Sequence, residues 1–146
     1  MVYFRTPLRK PIQKTPEADY GLMSLMTAST QETGRRGELL AVEYLRLQKF
    51  QIREQNVRFG RFELDIVAYD PQEKMIVFVE VKTRSRFDER YPIRTAVDRR
   101  KRHALQQGIF RWVHHHNYDG PARIDIVCVA ENRVVDHIVN TGAVFY

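Results

Sequence analysis

The chain has 146 residues, 43% hydrophobic and 29% charged, with a formal charge of +6 and one cysteine. That length suits a single domain able to bury roughly two-thirds of the surface its unfolded form exposes, so neither a metal nor a disulfide is needed merely to fold. The composition excludes a disordered chain, no apolar run approaches the ~18 residues of a membrane-crossing helix, and the lone Cys128, unable to form an internal disulfide, fits a reducing, cytoplasmic setting.

Residues 1–32 show no steady period and no uninterrupted apolar stretch; they read as a loosely held tail ahead of one domain over 33–146. From about Gln31 to Gln48 the spacing predicts a helix, with Leu40, Tyr44 and Leu47 in one series and Ala41 and Leu45 in the next. At ~100° per residue the apolar arc runs from Leu40 round to Val42 and leaves Arg35, Arg36, Glu43 and Arg46 on the wet side. Glu38 falls inside that arc, one turn before Val42.

IREQNVRF and RFELDIVAYD, a polar turn DPQEK, and MIVFVEVKT follow as antiparallel strands, the last two a hairpin. Asp65 and Glu80 interrupt them where their neighbours are β-branched and apolar. Next, residues 82–102 hold nine Lys/Arg against three Asp/Glu, the whole of the excess charge, while the remainder balances at 15 against 15. Such a concentration suggests a polyanion facing that surface; a solvated loop and helix face is the other reading. Thr95, with Asp98 three residues on, has a capping-box pattern opening a helix to about His116. Its stripe is Val97, Ala104, Leu105, Gly108 and Trp112, with Lys101 among them and Arg99 and Arg102 pointing elsewhere. RIDIVCVA and VVDHIVN close the chain as strands. The order α-β-β-β-α-β-β describes an α/β sandwich rather than a doubly wound parallel sheet, because the first hairpin is too short for a crossover.

Residues two apart on a strand share a face, so Glu80 and Lys82 project together about 7 Å apart, and the hairpin can bring Asp65 beside them. A buried carboxylate costs several kcal/mol unless paired or metal-bound, and two side by side also repel. A divalent cation such as Mg²⁺ or Mn²⁺ removes both penalties. Asp65, Glu80 and the Val81 carbonyl suffice as ligands, with Glu38 reaching in from the first helix. Beside such an ion Lys82 can help position and deprotonate an attacking water and neutralise charge building on a phosphate. The constellation is that of phosphodiester hydrolysis. Against it, Glu80 with Lys82 can be an ordinary ion pair, and Asp65 a partner of Arg58, Arg61 or Lys82. His114, His115 and His116 point about 100° apart on a helix and cannot all chelate one ion; they read as a cationic cap at its C-terminus. Asp125 reads as a structural partner of Arg123 or Arg133, or as a support near the site.

The segments GRRGELLAVEYLRLQKFQIREQNVRFGRFELDIVAYD, MIVFVEVKTR and AVDRRKRHAL together resemble the YraN-like family of bacterial proteins, within the PD-(D/E)XK nuclease-like superfamily and similar to archaeal Holliday-junction resolvases. The resemblance covers about residues 33–146. It implies a restriction-endonuclease-like mixed sheet of about five strands flanked by helices, and a metal-dependent endonuclease acting on DNA, branched structures included. It places the motif aspartate on Asp65, the acid-x-lysine on Glu80 and Lys82, and a first-helix glutamate on Glu38. Leu64 stands where the superfamily motif has proline, which leaves the ligand set intact. Lys101 matches a family lysine and so gains support as a phosphate contact, although its stem can equally lie across apolar neighbours with the amine in water. With Arg84, Arg86, Arg99 and Arg102 it forms the expected nucleic-acid-binding set. A resolvase-like action on two strands favours a homodimer. The competing expectation is a non-catalytic nucleic-acid-binding protein that keeps the fold.

Overall fold

The computed structural model describes residues 30–84, 86 and 99–139. Of the expected tail over 1–32, residues 1–29 lie outside the described residues, as do the Thr95–Asp98 cap and Val97, while residues 30–32 are helical. Helix α1 (Thr30–Leu47) leads into strands β1 (Gln51–Phe59), β2 (Phe62–Asp70) and β3 (Met75–Arg84); helix α2 (Arg99–His115) precedes β4 (Ala122–Ala130) and β5 (Arg133–Ile138). This is the expected α-β-β-β-α-β-β order. The strands form one mixed sheet in the order β1-β2-β3-β4-β5, antiparallel except for the central β3–β4 pair, which is parallel. Connection length sets those directions, since only the long β3–β4 segment that contains α2 can return the chain to the same end of the sheet.

Each helix covers one face. From α1, Ala41, Val42, Tyr44 and Leu45 pack on Ile66, Ala68, Val77, Val79, Val127 and Val129. From α2, Leu105, Ile109, Trp112 and Val113 pack on Leu64, Ile76, Phe78 and Ile124. Leu47 departs from its expected series at 63% exposure; at ~100° per residue it lies about 20° outside Leu40, which is itself only partly buried. Both helices end in the same way, with a left-handed residue (Lys49, φ 72°; Asn117, φ 48°) and a 6→1 hydrogen bond, Phe50 N–H to Leu45 O and Tyr118 N–H to Val113 O, each 3.0 Å.

Two glycines seat these helices against the sheet. A Cβ on Gly37 of α1 would overlap the side chain of Thr83 in β3, and one on Gly108 of α2 would meet Leu64 Cδ2 of β2 at 3.0 Å. Between those two contacts β2 changes phase. Leu64 belongs to the α2-side core and Ile66, two residues on, to the α1-side core, whereas a regular strand would keep them on one face. The switch centres on Asp65. On β1, Asn56 has φ 52° and lies between Gln55 and Val57, which pair with Ile66 and Leu64 on either side of Asp65. The β2–β3 ladder ends at Ile66 and Val79, so the two strands part where Asp65 and Glu80 follow.

Candidate active site

Beyond the last ladder pair, the Asp65 carboxylate takes the place of a backbone acceptor: Val81 N–H donates to its Oδ2 at 2.8 Å. An extended residue directs its N–H and C=O to the same side, so the Val81 carbonyl also faces β2. Glu80 is 1% exposed. Its Oε1 receives the Lys82 ammonium at 2.8 Å and that of Lys101 at 3.2 Å, while its Oε2 is buried with no hydrogen-bond partner among the described residues. Burial, with the Glu80 charge adding to it, pushes the Asp65 carboxyl up to about 7; the Val81 N–H and the Lys101 ammonium pull the other way, and the Glu38 charge raises it further. Glu38 is partly buried, and that burial raises its own pKa, with Glu63 and Glu80 adding to the rise while a hydrogen bond to the Asn56 side chain and the Arg35 charge oppose it. Burial alone would lower the Lys101 pKa, but Glu80 and Asp65 together hold it above its ordinary value. Glu38, Asp65, Glu80, Lys82 and Lys101 therefore share one electrostatic site at the opening between β2 and β3.

The profile of the Uncharacterised protein family UPF0102 matches residues 37–129, which run from the middle of α1 through most of β4. The chain belongs to this family. A UPF0102 protein of Pelobacter propionicus is 38% identical over 120 residues, 78% of this chain and 84% of the relative. One from Trichlorobacter lovleyi is 35% identical over 129 residues, covering 85% of this chain and 100% of the relative; one from Porphyromonas gingivalis is 40% identical over 102, covering 70% and 73%. UPF0102 is the YraN-like family whose motifs the sequence carries, and its fold resembles that of the PD-(D/E)XK nuclease-like superfamily. No described helix is long and apolar enough to cross a membrane.

The arrangement suits a hard cation in one respect and not in another. Among the described residues no three of His, Cys, Asp and Glu are drawn together as a ready-made cage. Mg²⁺, however, takes only one or two protein carboxylates and fills its remaining positions with water and phosphate oxygens. A buried carboxylate oxygen lacking a partner is the kind of group such an ion satisfies, and Glu80 Oε2 is that oxygen. Asp65, Glu80 and the Val81 carbonyl thus fit a divalent ion, with Glu38 within electrostatic reach.

Other sequence expectations resolve differently. Arg58 goes to Glu63 at 3.0 Å and Arg61 lies over the Phe62 ring, so neither is the partner of Asp65 found here. Arg99 and Arg102 are exposed on the first turn of α2, Arg86 is exposed after β3, and Arg84 is partly buried. Asp125 pairs with Arg123 at 3.0 Å and with His137 at 3.0 Å, in a network that continues to Asp70 and Tyr44. His116 bonds Glu54 on β1 at 3.0 Å and stacks on Trp112, while His114 and His115 lie exposed beside it. One contributor escapes sequence reasoning and another takes a different partner. Asn56 lowers the Glu38 pKa from a left-handed position that asparagine tolerates better than most residues, and Lys101, expected as a phosphate contact, reaches the carboxylate Glu80 itself.

Proposed function

We propose that the protein is a metal-dependent phosphodiesterase that hydrolyses nucleic acid, DNA in the first place, with branched DNA among its substrates. The observation that carries this reading is the buried Oε2 of Glu80, without a hydrogen-bond partner among the described residues, beside a second acid, Asp65, at the mouth of a parted hairpin. Mg²⁺ or Mn²⁺ held by Asp65, Glu80 and the Val81 carbonyl would polarise a phosphate and lower the pKa of a bound water. Lys82, only 20% exposed and fixed by Glu80, orients that water and stabilises the charge gathering on the phosphate. Lys101 offers a second ammonium from α2, and Glu38 tunes the local charge. Arg84, Arg86, Arg99 and Arg102 supply phosphate contacts around the opening.

One feature favours the alternative of a non-catalytic nucleic-acid-binding protein: two lysines already neutralise Glu80, as in a site that needs no ion. The test is cleavage of single-stranded, duplex, flapped and four-way DNA with Mg²⁺ or Mn²⁺, alongside calorimetric titration of the metal. Asp65→Asn, Glu80→Gln and Lys82→Ala should each abolish cleavage. Loss of metal heat in the two acid variants, with metal-free DNA affinity kept, is the expected companion result. A parent that takes up no metal and cuts none of the four structures would leave the binding protein.

A further inference from the structure

A groove of about 400 Å³ opens between the β1–β2 turn and the first turns of α2, lined by Arg61, Phe62, Arg99, Arg100, His103 and Ala104. None of the six is acidic. Its floor is Phe62, whose ring has the Arg61 guanidinium 5.1 Å and that of Arg111 4.4 Å from its centroid. A guanidinium laid on an aromatic ring gives up less rotamer freedom when it binds than a free arginine does, so Arg61 is pre-set at the mouth. The same stretch of α2 presents Lys101 to Glu80, so the groove and the carboxylate site lie on two sides of one helix end. Phe62 precedes Asp65 by three residues, about 10 Å along a strand; that is roughly the axial advance of three phosphates along one strand of a duplex.

We propose that this groove seats the phosphates of the nucleic-acid strand two to three nucleotides from the one at Asp65 and Glu80, with Arg61 as its anchor. The binding surface then runs from the β3 end across α2 to the β1–β2 turn, well beyond the basic segment visible in the sequence. This rests on the nucleic-acid part of the proposed function and not on catalysis.

The experiment measures metal-free binding of the full chain to a fluorescent duplex and to a single strand of equal length, over a range of KCl. The variants are Arg61→Ala, Arg61→Lys and, as a remote control of equal charge change, Arg133→Ala on β5, whose side chain is 63% exposed. One lost phosphate contact lowers the slope of log K against log salt by about 0.9 and the affinity about eight-fold at 0.1 M salt. That loss is expected for Arg61→Ala, a partial loss for Arg61→Lys, and none for Arg133→Ala. Equal effects of Arg61→Ala and Arg133→Ala would reduce the groove to bulk charge and overturn it, even in a parent that cuts DNA. The expected pattern in a parent that cuts nothing would uphold the groove while removing the nuclease reading. Absence of nucleic-acid binding by the parent, or displacement of DNA by poly-glutamate at equal charge, would also overturn it.

Discussion

Asp65 and Glu80 are neighbouring acids kept by opposite means, one by a backbone N–H and a raised pKa, the other by two ammonium groups. The Asp65 carboxyl titrates at about 7 in the fold against an ordinary value of 3.8. The metal-free fold therefore has the full benefit of this group below 3.8 and loses it as pH rises through 7. Asp65→Asn removes that loss: its melting temperature should match the parent's near pH 4 and exceed it by about 5 °C at pH 8. Mg²⁺ at pH 8 should raise the parent and not the variant, both read by scanning calorimetry; a gap that ignores pH would contradict the assignment. Asn56 permits a second test. A left-handed non-glycine residue costs about 1–2 kcal/mol, so Asn56→Gly should unfold in urea close to the parent and Asn56→Ala about 1 kcal/mol earlier, both releasing Glu38. The acids were legible in the sequence because a charge in a β-branched run breaks the local pattern. Asn56 was not: a polar residue on an edge strand is ordinary, and its importance comes from a backbone angle and a register that only the folded sheet defines.

At the level of elements, period and turn chemistry sufficed to read both helices and all the strands, because their apolar stripes are what the sheet buries. What periodicity cannot read is depth of approach. Gly37 and Gly108 are each mid-helix, where alanine would gain about 1 kcal/mol of propensity, yet they face different obstacles. A methyl at Gly37 overlaps Thr83 including its Cβ, an atom fixed to the β3 backbone one residue from Lys82, whereas at Gly108 the nearest atom is the end of the flexible Leu64 side chain. Overpacking of the first kind costs about 1–3 kcal/mol. Gly37→Ala should therefore lower stability by about 1–2 kcal/mol in urea and shift α1 outward, carrying Glu38 with it, while Gly108→Ala should stay within about 0.5 kcal/mol of the parent. The reverse order would mean that α1, not α2, is the element free to move.

At the scale of the molecule, the sheet carries two buried polar clusters among the described residues, one fully paired and one not. Around Asp125, which is 0% exposed, Arg123 bonds both Asp125 and Asp70, His137 bonds Asp125 and lies 3.3 Å from the Tyr44 hydroxyl, and Asp70 accepts the Gln72 and Glu73 N–H groups. Burial pushes the Asp125 pKa upward, but the bonds from His137 and Arg123 outweigh it and hold the carboxyl below its usual value. Around Glu80 one oxygen is left over, and the two lysines that serve the other, 20% and 41% exposed, can turn to water if the acid is removed. Arg123, with a side chain 8% exposed, cannot. Removing one partner of a buried, hydrogen-bonded ion pair costs about 3–5 kcal/mol, so Asp125→Ala should unfold that much more easily in urea. Its remaining folded molecules should keep the parent's cleavage rate and Mg²⁺ heat. Glu80→Gln keeps the shape and an oxygen for the two ammonium groups, which are free to turn to water as the charge goes, so its unfolding should move by less than about 1 kcal/mol while cleavage and Mg²⁺ heat disappear. Measured on the same preparations, those two variants should fail in opposite columns, because one cluster closes the sheet and the other is left open for what binds there. If Glu80→Gln unfolded as readily as Asp125→Ala and kept its activity per folded molecule, the open cluster would be structural too and the case for a metal at Glu80 would fall; activity lost per folded molecule in Asp125→Ala would instead erase the division between the two clusters.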